Sequence, residues 1–284
     1  MTRRRSQFNQ PLLKAGTLLV LSGAVSPARA EAPCDAIKRG RAALIGAVFV
    51  AADAGALLIR HDDWWIPPSR TFHVIWGGSP SKSQDGFLHA SIAYQTSQLA
   101  SLSWDWACAD RATAGWLGAA MGLVVAIPKE IGDGFHQNGF SIPDMLWTTG
   151  GALVPALHRA WRPSRTVSLK GFYWPSLEYR NRLGPLPQPE NDYAGQRYFL
   201  SLNPSRGARH HGWPRWLGVA FGHGVPYWVT LPPKNDWYLT FDLDLRGLPI
   251  RAAWWRTFST LADQIHLPMP GLRLRNGSVQ LGVF

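Results

Sequence analysis

The residues best suited to chemistry gather between positions 85 and 144. Asp85 and His89 are four apart, so on a helix they share one face. A carboxylate beside an imidazole can orient it for proton transfer or for metal ligation. Glu130 and Asp133 would likewise meet on one face if a helix continues past Pro128; Lys129 flanks them, His136 follows, and Asp144 opens the next segment. Charges at the ends of apolar helices are costly unless paired or wet, so these residues are expected to converge. Two readings stay open. In one, His89, Glu130 and Asp133 are catalytic candidates, with Asp85, Lys129 and Asp144 completing a polar cluster. In the other, the same residues form a salt-bridged network that fixes helix packing and register. The pattern specifies no cofactor and no particular metal.

Common catalytic signatures are absent: there is no His-Glu-x-x-His, Cys-x-x-Cys or Gly-x-Ser-x-Gly, and no phosphate-binding glycine loop with a lysine. Ser79-Pro80-Ser81-Lys82 matches Ser-x-x-Lys by letters, but the proline makes it a turn and its partner motifs are missing. His210-His211 reads as a solvated loop pair. Asp242 and Asp244 would project from one strand face about 7 Å apart; calcium needs further ligands, so a wet polar face is expected there.

The elements that must position these residues change character near Pro163. Before it, residues 42–59 form an apolar run broken by Asp53, and 87–109 are helical in pattern. A second apolar run, 112–127, is closed by Pro128-Lys129-Glu130, and 143–161 makes a fourth segment with Pro143 in its first turn. These runs sit at the short edge of the bilayer-crossing window, and Gly118-x-x-x-Gly122 lets backbones approach closely. A compact, membrane-associated helical bundle is the expectation. After Pro163 the period becomes two: Trp237, Leu239, Phe241, Leu243 and Leu245 alternate with Tyr238, Thr240, Asp242, Asp244 and Arg246. The fold class is therefore α+β, with a helical bundle over 31–162 followed by an antiparallel β region over 163–284. Phe284 ends the chain as many outer-membrane barrel strands end, but Gln280 and Gly282 stand where such a strand needs apolar residues. A short barrel-like sheet, not a complete barrel, is expected. The 15 tryptophans suit either a membrane interface or a tryptophan-rich core.

Composition sets the compartment. Across 284 residues, 46% hydrophobic and 17% charged excludes a disordered chain. The formal charge of +11 includes Arg3, Arg4, Arg5, Lys14 and Arg29, all before Ala30 and with no acid among them. Residues 1–30 read as a secretory signal, with an apolar run over 15–25 and a small-x-small cut at Ala28-Arg29-Ala30. Removing it leaves +6 (+11 less those five), so nucleic acid is not an expected partner. Cys34 and Cys108 either form a disulfide worth about 4 kcal/mol on the chain-entropy account or remain two separate buried thiols.

Taken in order, Phe72-His73, Asp85-x-x-x-His89, Lys129-Glu130-x-x-Asp133-Gly134 and Gly139-Phe140-Ser141-x-x-Asp144 resemble the YfiM-like family of periplasmic lipoproteins, which has no assigned activity. The likeness continues through Asp192-Tyr193-Ala194-Gly195-Gln196-Arg197-Tyr198-Phe199-Leu200-Ser201, through Trp213-Pro214-Arg215-Trp216-Leu217 with Ala220-Phe221-Gly222-His223-Gly224, and through Leu239-Thr240-Phe241-Asp242-Leu243-Asp244-Leu245 and Leu267-Pro268-Met269-Pro270. It covers roughly residues 40 to 284, and the helical half is distantly similar to VanZ-like membrane proteins. Three departures stand out: Gly86 replaces a frequent lysine, Thr148 an asparagine, and His223 a tyrosine. No lipobox cysteine is present, so attachment through the chain's own helices is expected in place of a lipid anchor.

The resemblance implies compartment and architecture but no reaction. The expectation is an envelope protein of structural or assembly type on the periplasmic side of a membrane, the outer membrane before the inner, with a membrane lipid or envelope component as partner. The alternative is an enzyme acting on an envelope lipid or glycan through the His/Glu/Asp cluster.

Overall fold

Small side chains decide how the first half assembles. In the computed structural model, which describes residues 34–65, 68–77, 84–177, 190–207, 212–226 and 234–284, this half comprises α1 (Arg39–Trp64), β1 (Val74–Ile75), α2 (Gln84–Trp106), α3 (Arg111–Gly134), β2 (Phe140–Ser141) and α4 (Ile142–Ala160). The expected signal segment, the Ser79-Pro80-Ser81-Lys82 motif and His210-His211 lie outside the described residues. Buried along the seams are Ala90, Ala93, Ser97 and Ser101 of α2, Gly115, Gly118 and Gly122 of α3, and Gly151, Ala152 and Ala156 of α4. The backbones approach so closely that a Cβ on Gly118 would strike the Ser97 carbonyl and the Ser101 hydroxyl, and one on Gly151 the Ala90 carbonyl. Ser97 Oγ donates to the Ala152 carbonyl at 2.8 Å across one seam. Small residues and side-chain hydrogen bonds are how helices associate where apolar burial gives little drive.

With small residues inside, the large apolar ones face outward: Ile92, Leu99, Trp116, Val124 and Leu146 are exposed, as are Val50, Leu58 and Ile59 of α1. Both α1 and α3 are long and apolar enough to cross a membrane. The start of α1 is tied down by the Cys34–Cys108 disulfide, by the Arg41 guanidinium 4.7 Å over the Trp106 ring, and by its 2.6 Å bond to the Trp106 carbonyl. Helix starts carry their own signals. Asp110 accepts from the backbone N–H groups of Ala112 and Thr113, and Ser141 from that of Asp144. One boundary differs from the sequence expectation: α3 runs through Pro128 to Gly134. Proline removes one helical N–H bond, and the turns beyond it are held by side-chain ion pairs described below.

The second half follows a 3-10 turn at Arg162–Thr166 and contains β3 (Val167–Tyr173), β4 (Gln196–Leu202), β5 (Leu217–Gly224), β6 (Asp236–Leu243), α5 (Ala253–Ala262), β7 (Pro270–Arg275) and β8 (Ser278–Val283). The strands form one antiparallel sheet in sequential order, so the chain is α+β. The sheet is open, with β3 and β8 as its outer strands. Residues 264–266 bond Gly171 at the β3 edge, curling the sheet around its inner face.

That inner face buries an aromatic cluster of Phe199, Tyr238 and Phe284 around Ala220, and beside it a group of charged residues. Register aligns Leu169, Leu200, Phe221, Leu239, Leu272 and Leu281 across all six strands, and the last five are exposed. Asp242 and Asp244, expected on a wet face, are instead 0% and 1% exposed. The reason is partnership from distant segments. Lys170 Nζ lies 2.8 Å from Asp242 and 2.9 Å from Asp263, and His266 Nδ1 lies 3.0 Å from Asp242. Arg206 Nε sits 3.3 Å from Asp244, while Arg246 bonds Asp263. Three cations thus meet three carboxylates, the condition under which buried charge is tolerated. Ten described tryptophans are exposed and none is buried, so they do not form a core.

The halves meet at the start of α2. Buried Gln84 donates to the Gln196 carbonyl at 3.0 Å and bonds His223 at 3.1 Å, while Phe87 packs on Tyr198, His223 and Trp147. Residues Cys34–Phe284 form one compact unit.

Two measurements follow from this packing. Gly151→Val should lower unfolding free energy by about 3 kcal/mol, the upper end of overpacking costs, because backbone and not a flexible side chain must move; urea titration reads it. At the foot of α4, burial first and then Arg206 hold the His158 imidazole down to about 4. Between that value and about 6.5 the unfolded chain binds the extra proton, so stability rises with pH there and is lost as pH falls through this window. Roughly 3 kcal/mol should disappear between pH 6.5 and 4, and His158→Gln should flatten that slope.

Candidate functional site

Four elements deliver the polar cluster. The first turns of α2 supply Asp85 and His89, the last turns of α3 supply Lys129, Glu130 and Asp133, and the first turn of α4 supplies Asp144. Tyr193 arrives from a 3-10 turn at Tyr193–Gly195, where Asp192 accepts from the Gly195 N–H. Carboxylates at the starts of α2 and α4 lie at the positive ends of those helices, where their charge is favoured.

The expected residues come together. His89 Nε2 lies 3.9 Å from Asp85 Oδ1 and 3.7 Å from Glu130 Oε1, and its Nδ1 bonds Thr148 Oγ1 at 3.3 Å. Lys129 Nζ is 2.7 Å from Asp133 and 3.2 Å from Glu130. Tyr193 donates to Asp85 at 2.8 Å, the Trp65 indole to Asp133 at 2.8 Å, and the Ser141 N–H to Glu130 at 3.4 Å. His136 stays outside: it bonds the Gly132 carbonyl at 2.7 Å and stacks on Trp65, so it steadies the ring that holds Asp133. A cleft of about 390 Å³ opens onto the group, its wall including Asp85, His89, Lys129, Asp133, Thr148 and Tyr193.

Burial, and then the Lys129 charge, hold the His89 imidazole below its ordinary value against the opposing pull of Asp85, Glu130 and Asp133. Burial thus favours the uncharged imidazole. Burial first and then Asp85 push the Asp144 carboxyl up, and burial with the Asp85 charge pushes the Tyr193 phenol up, so it stays a proton donor. The ionic inventory is unlike that of the sheet. Among the described residues, one lysine stands with four carboxylates here: Asp85, Glu130, Asp133 and Asp144. Such an excess is relieved by protons or by a bound cation. Asp85, His89 and Asp144 can each place a ligand atom within 4.8 Å of the others, a mixed nitrogen and oxygen set that could hold a divalent metal.

Trp65, Ser141, Thr148 and Tyr193 were not legible as site residues. Tyr193 and Ser141 do lie in stretches that carry the resemblance, which was the available signal; Trp65 and Thr148 offered none as ligands. The departure at Gly86 has a steric account, since any Cβ there would collide with the Trp147 indole. A second, apolar cleft of about 830 Å³ lies between α2, α4 and the outward face of the sheet, with Phe87, Leu146, Trp147, Leu200, Phe221 and Trp237 in its wall.

No family model, curated protein or solved structure matches this chain.

The two ionic groups should respond oppositely to loss of a carboxylate. Asp242→Asn should cost about 3–5 kcal/mol, because it unbalances a buried set. Glu130→Gln should leave the melting temperature unchanged or higher, because it relieves like-charge repulsion. Calorimetry on the pair checks both, and a Glu130→Gln loss equal to that of Asp242→Asn would make the cleft a structural network.

Proposed function

We propose that this chain is a membrane-associated envelope protein, on the periplasmic side, that acts on an envelope lipid or glycan at the cleft between α2, α3 and α4. The observation that carries this reading is the convergence of His89 with Asp85, Glu130 and Asp144 at a cleft that solvent or substrate can enter, the arrangement that proton transfer or cation binding uses. His89 takes the proton or ligates the metal, Glu130 behind it stabilises the imidazolium, and Asp85 and Asp144 complete a ligand set. Lys129 and Trp65 orient Asp133. The outward apolar residues, the exposed tryptophans and the acyl-sized apolar cleft support a lipid surface as the workplace. The Cys34–Cys108 disulfide fits an oxidising compartment.

A structural or assembly role is the second reading, favoured by one observation: each of three carboxylates also ties two elements together, through Tyr193, Trp65 and Ser141. Tag-free protein from membranes, assayed for bound divalent metal, together with His89→Gln tested for complementation of a deletion, separates the two. The site reading expects normal abundance of His89→Gln in carbonate-washed membranes, with the cellular phenotype lost and any copurifying metal lost with it. Reduced abundance and a lower melting temperature would instead support the assembly role.

A further inference from the structure

The opposite end of the bundle, about 30 Å along α2 by its helical rise, has the reverse charge. A cavity of about 530 Å³ there has Arg111, Arg159, Arg165, Arg206, Arg246 and Arg256 in its wall, against the single carboxylate of Asp105 among the described residues lining it. Three of these cations are satisfied by acids. Arg159 forks onto Asp105 at 2.7 and 2.6 Å, Arg206 pairs with Asp244, and Arg246 with Asp263. The other three are not. Arg111 Nε and Arg165 Nε donate only to the backbone carbonyls of Arg159 and His158, at 3.3 and 2.6 Å, and Arg256 has no side-chain partner among the described residues. Arg246 Nε is buried without a hydrogen bond but lies 3.6 Å from Asp244 Oδ1. Crowding is felt: burial, and then Arg111, Arg162, Arg206 and Arg159, pull the Arg165 guanidinium below its ordinary value.

Guanidinium forks held by carbonyls around a cavity are the arrangement that phosphate oxygens match, two N–H groups at a time. The surroundings point to where that phosphate comes from. Helix α5, which carries Arg256, exposes Trp254 and Phe258 at 62% and 49%, and Trp161 beside the 3-10 turn is 61% exposed. Aromatic rings alternating with arginines are the composition of a membrane–water interface.

We propose that this cavity binds the phosphate headgroup of an anionic lipid, with Arg111, Arg165 and Arg256 supplying the uncompensated charge. It is separate from the cleft and does not depend on the function assigned to it. The test uses the full chain with two probes: inorganic diphosphate, and phosphatidylcholine vesicles with or without phosphatidic acid. Diphosphate should raise the Tm over chloride at matched ionic strength, and the protein should float preferentially with the doped vesicles. In Arg165→Gln/Arg256→Gln both responses should weaken roughly tenfold or more in affinity. Vesicle preference without a diphosphate response supports the lipid as a whole; diphosphate binding without vesicle preference overturns the lipid as its source. Wild-type protein lacking both responses, or a folded double variant keeping both, overturns the site. If the double variant does not fold, Arg256→Gln alone removes an exposed, unpartnered group and should still lower vesicle affinity about fivefold; an unchanged affinity there overturns the proposal as well.

Discussion

Backbone contact along α2 is the constraint from which the rest of the molecule follows. Glycine and alanine at the α3 and α4 seams bring carbonyls of α2 within van der Waals reach of neighbouring helices. Once those positions are small, the large apolar residues have no interior to fill and must face outward. The sheet also turns large apolar residues outward, although it buries Phe199, Tyr238 and Phe284 inside. Lys170 stands on its inner face and requires carboxylates, and once Asp242, Asp244 and Asp263 gather there, the alternate residues of every strand become the outward apolar row. Both halves therefore present leucine, phenylalanine and tryptophan to their surroundings. Exposed apolar area of this extent marks a surface suited to association, and α1 and α3 are long and apolar enough to cross a membrane.

The two ionic groups obey one rule and differ in its outcome. Desolvating charges is tolerated when Coulomb attraction and hydrogen bonds replace the lost water. Around Lys170 each carboxylate has a cationic partner, and His266 and Ser201 bond Asp242 at 3.0 and 2.5 Å. Around His89 the replacement is incomplete, and the imidazole Nε2 faces two carboxylate oxygens at distances too long for hydrogen bonds.

Legibility followed range. Helical spacing alone paired Asp85 with His89, and Glu130 with Asp133 on condition that the helix passed Pro128, while small-residue spacing located the α3 seam, because those relations lie within one or two turns. The passage of α3 beyond Pro128 was not legible, since it rests on Trp65 and Lys129 holding Asp133. The burial of Asp242 and Asp244 was hidden for the same reason. Alternation shows which residues share a face, but which face is inside depends on Lys170 and Asp263 arriving from other elements. The arginine cavity was the least legible feature of all. Its members span Arg111 to Arg256 and no local pattern unites them.

Helix dipoles separate what stabilises each end of the bundle from what does not. Asp85 and Asp144 sit in the first turns of α2 and α4, so each gains about 0.3–1 kcal/mol from its own helix, whereas Asp133 in the last turn of α3 opposes its dipole. That gain offsets part of the repulsion among the clustered carboxylates and lets the cleft keep its negative excess. At the other end the signs are mixed. Arg159 at the end of α4 is favoured, but Asp105 at the end of α2 and Arg111 at the start of α3 each oppose their dipole. Asp105 is compensated by its fork with Arg159. Arg111 has no such carboxylate, and Asp110 before it is already engaged in capping α3. Among the described residues this cation opposes its own helix, is crowded by other arginines and holds only the Arg159 carbonyl, at 3.3 Å. Its favourable partner is an anion from outside, which is the physical ground for placing a phosphate there.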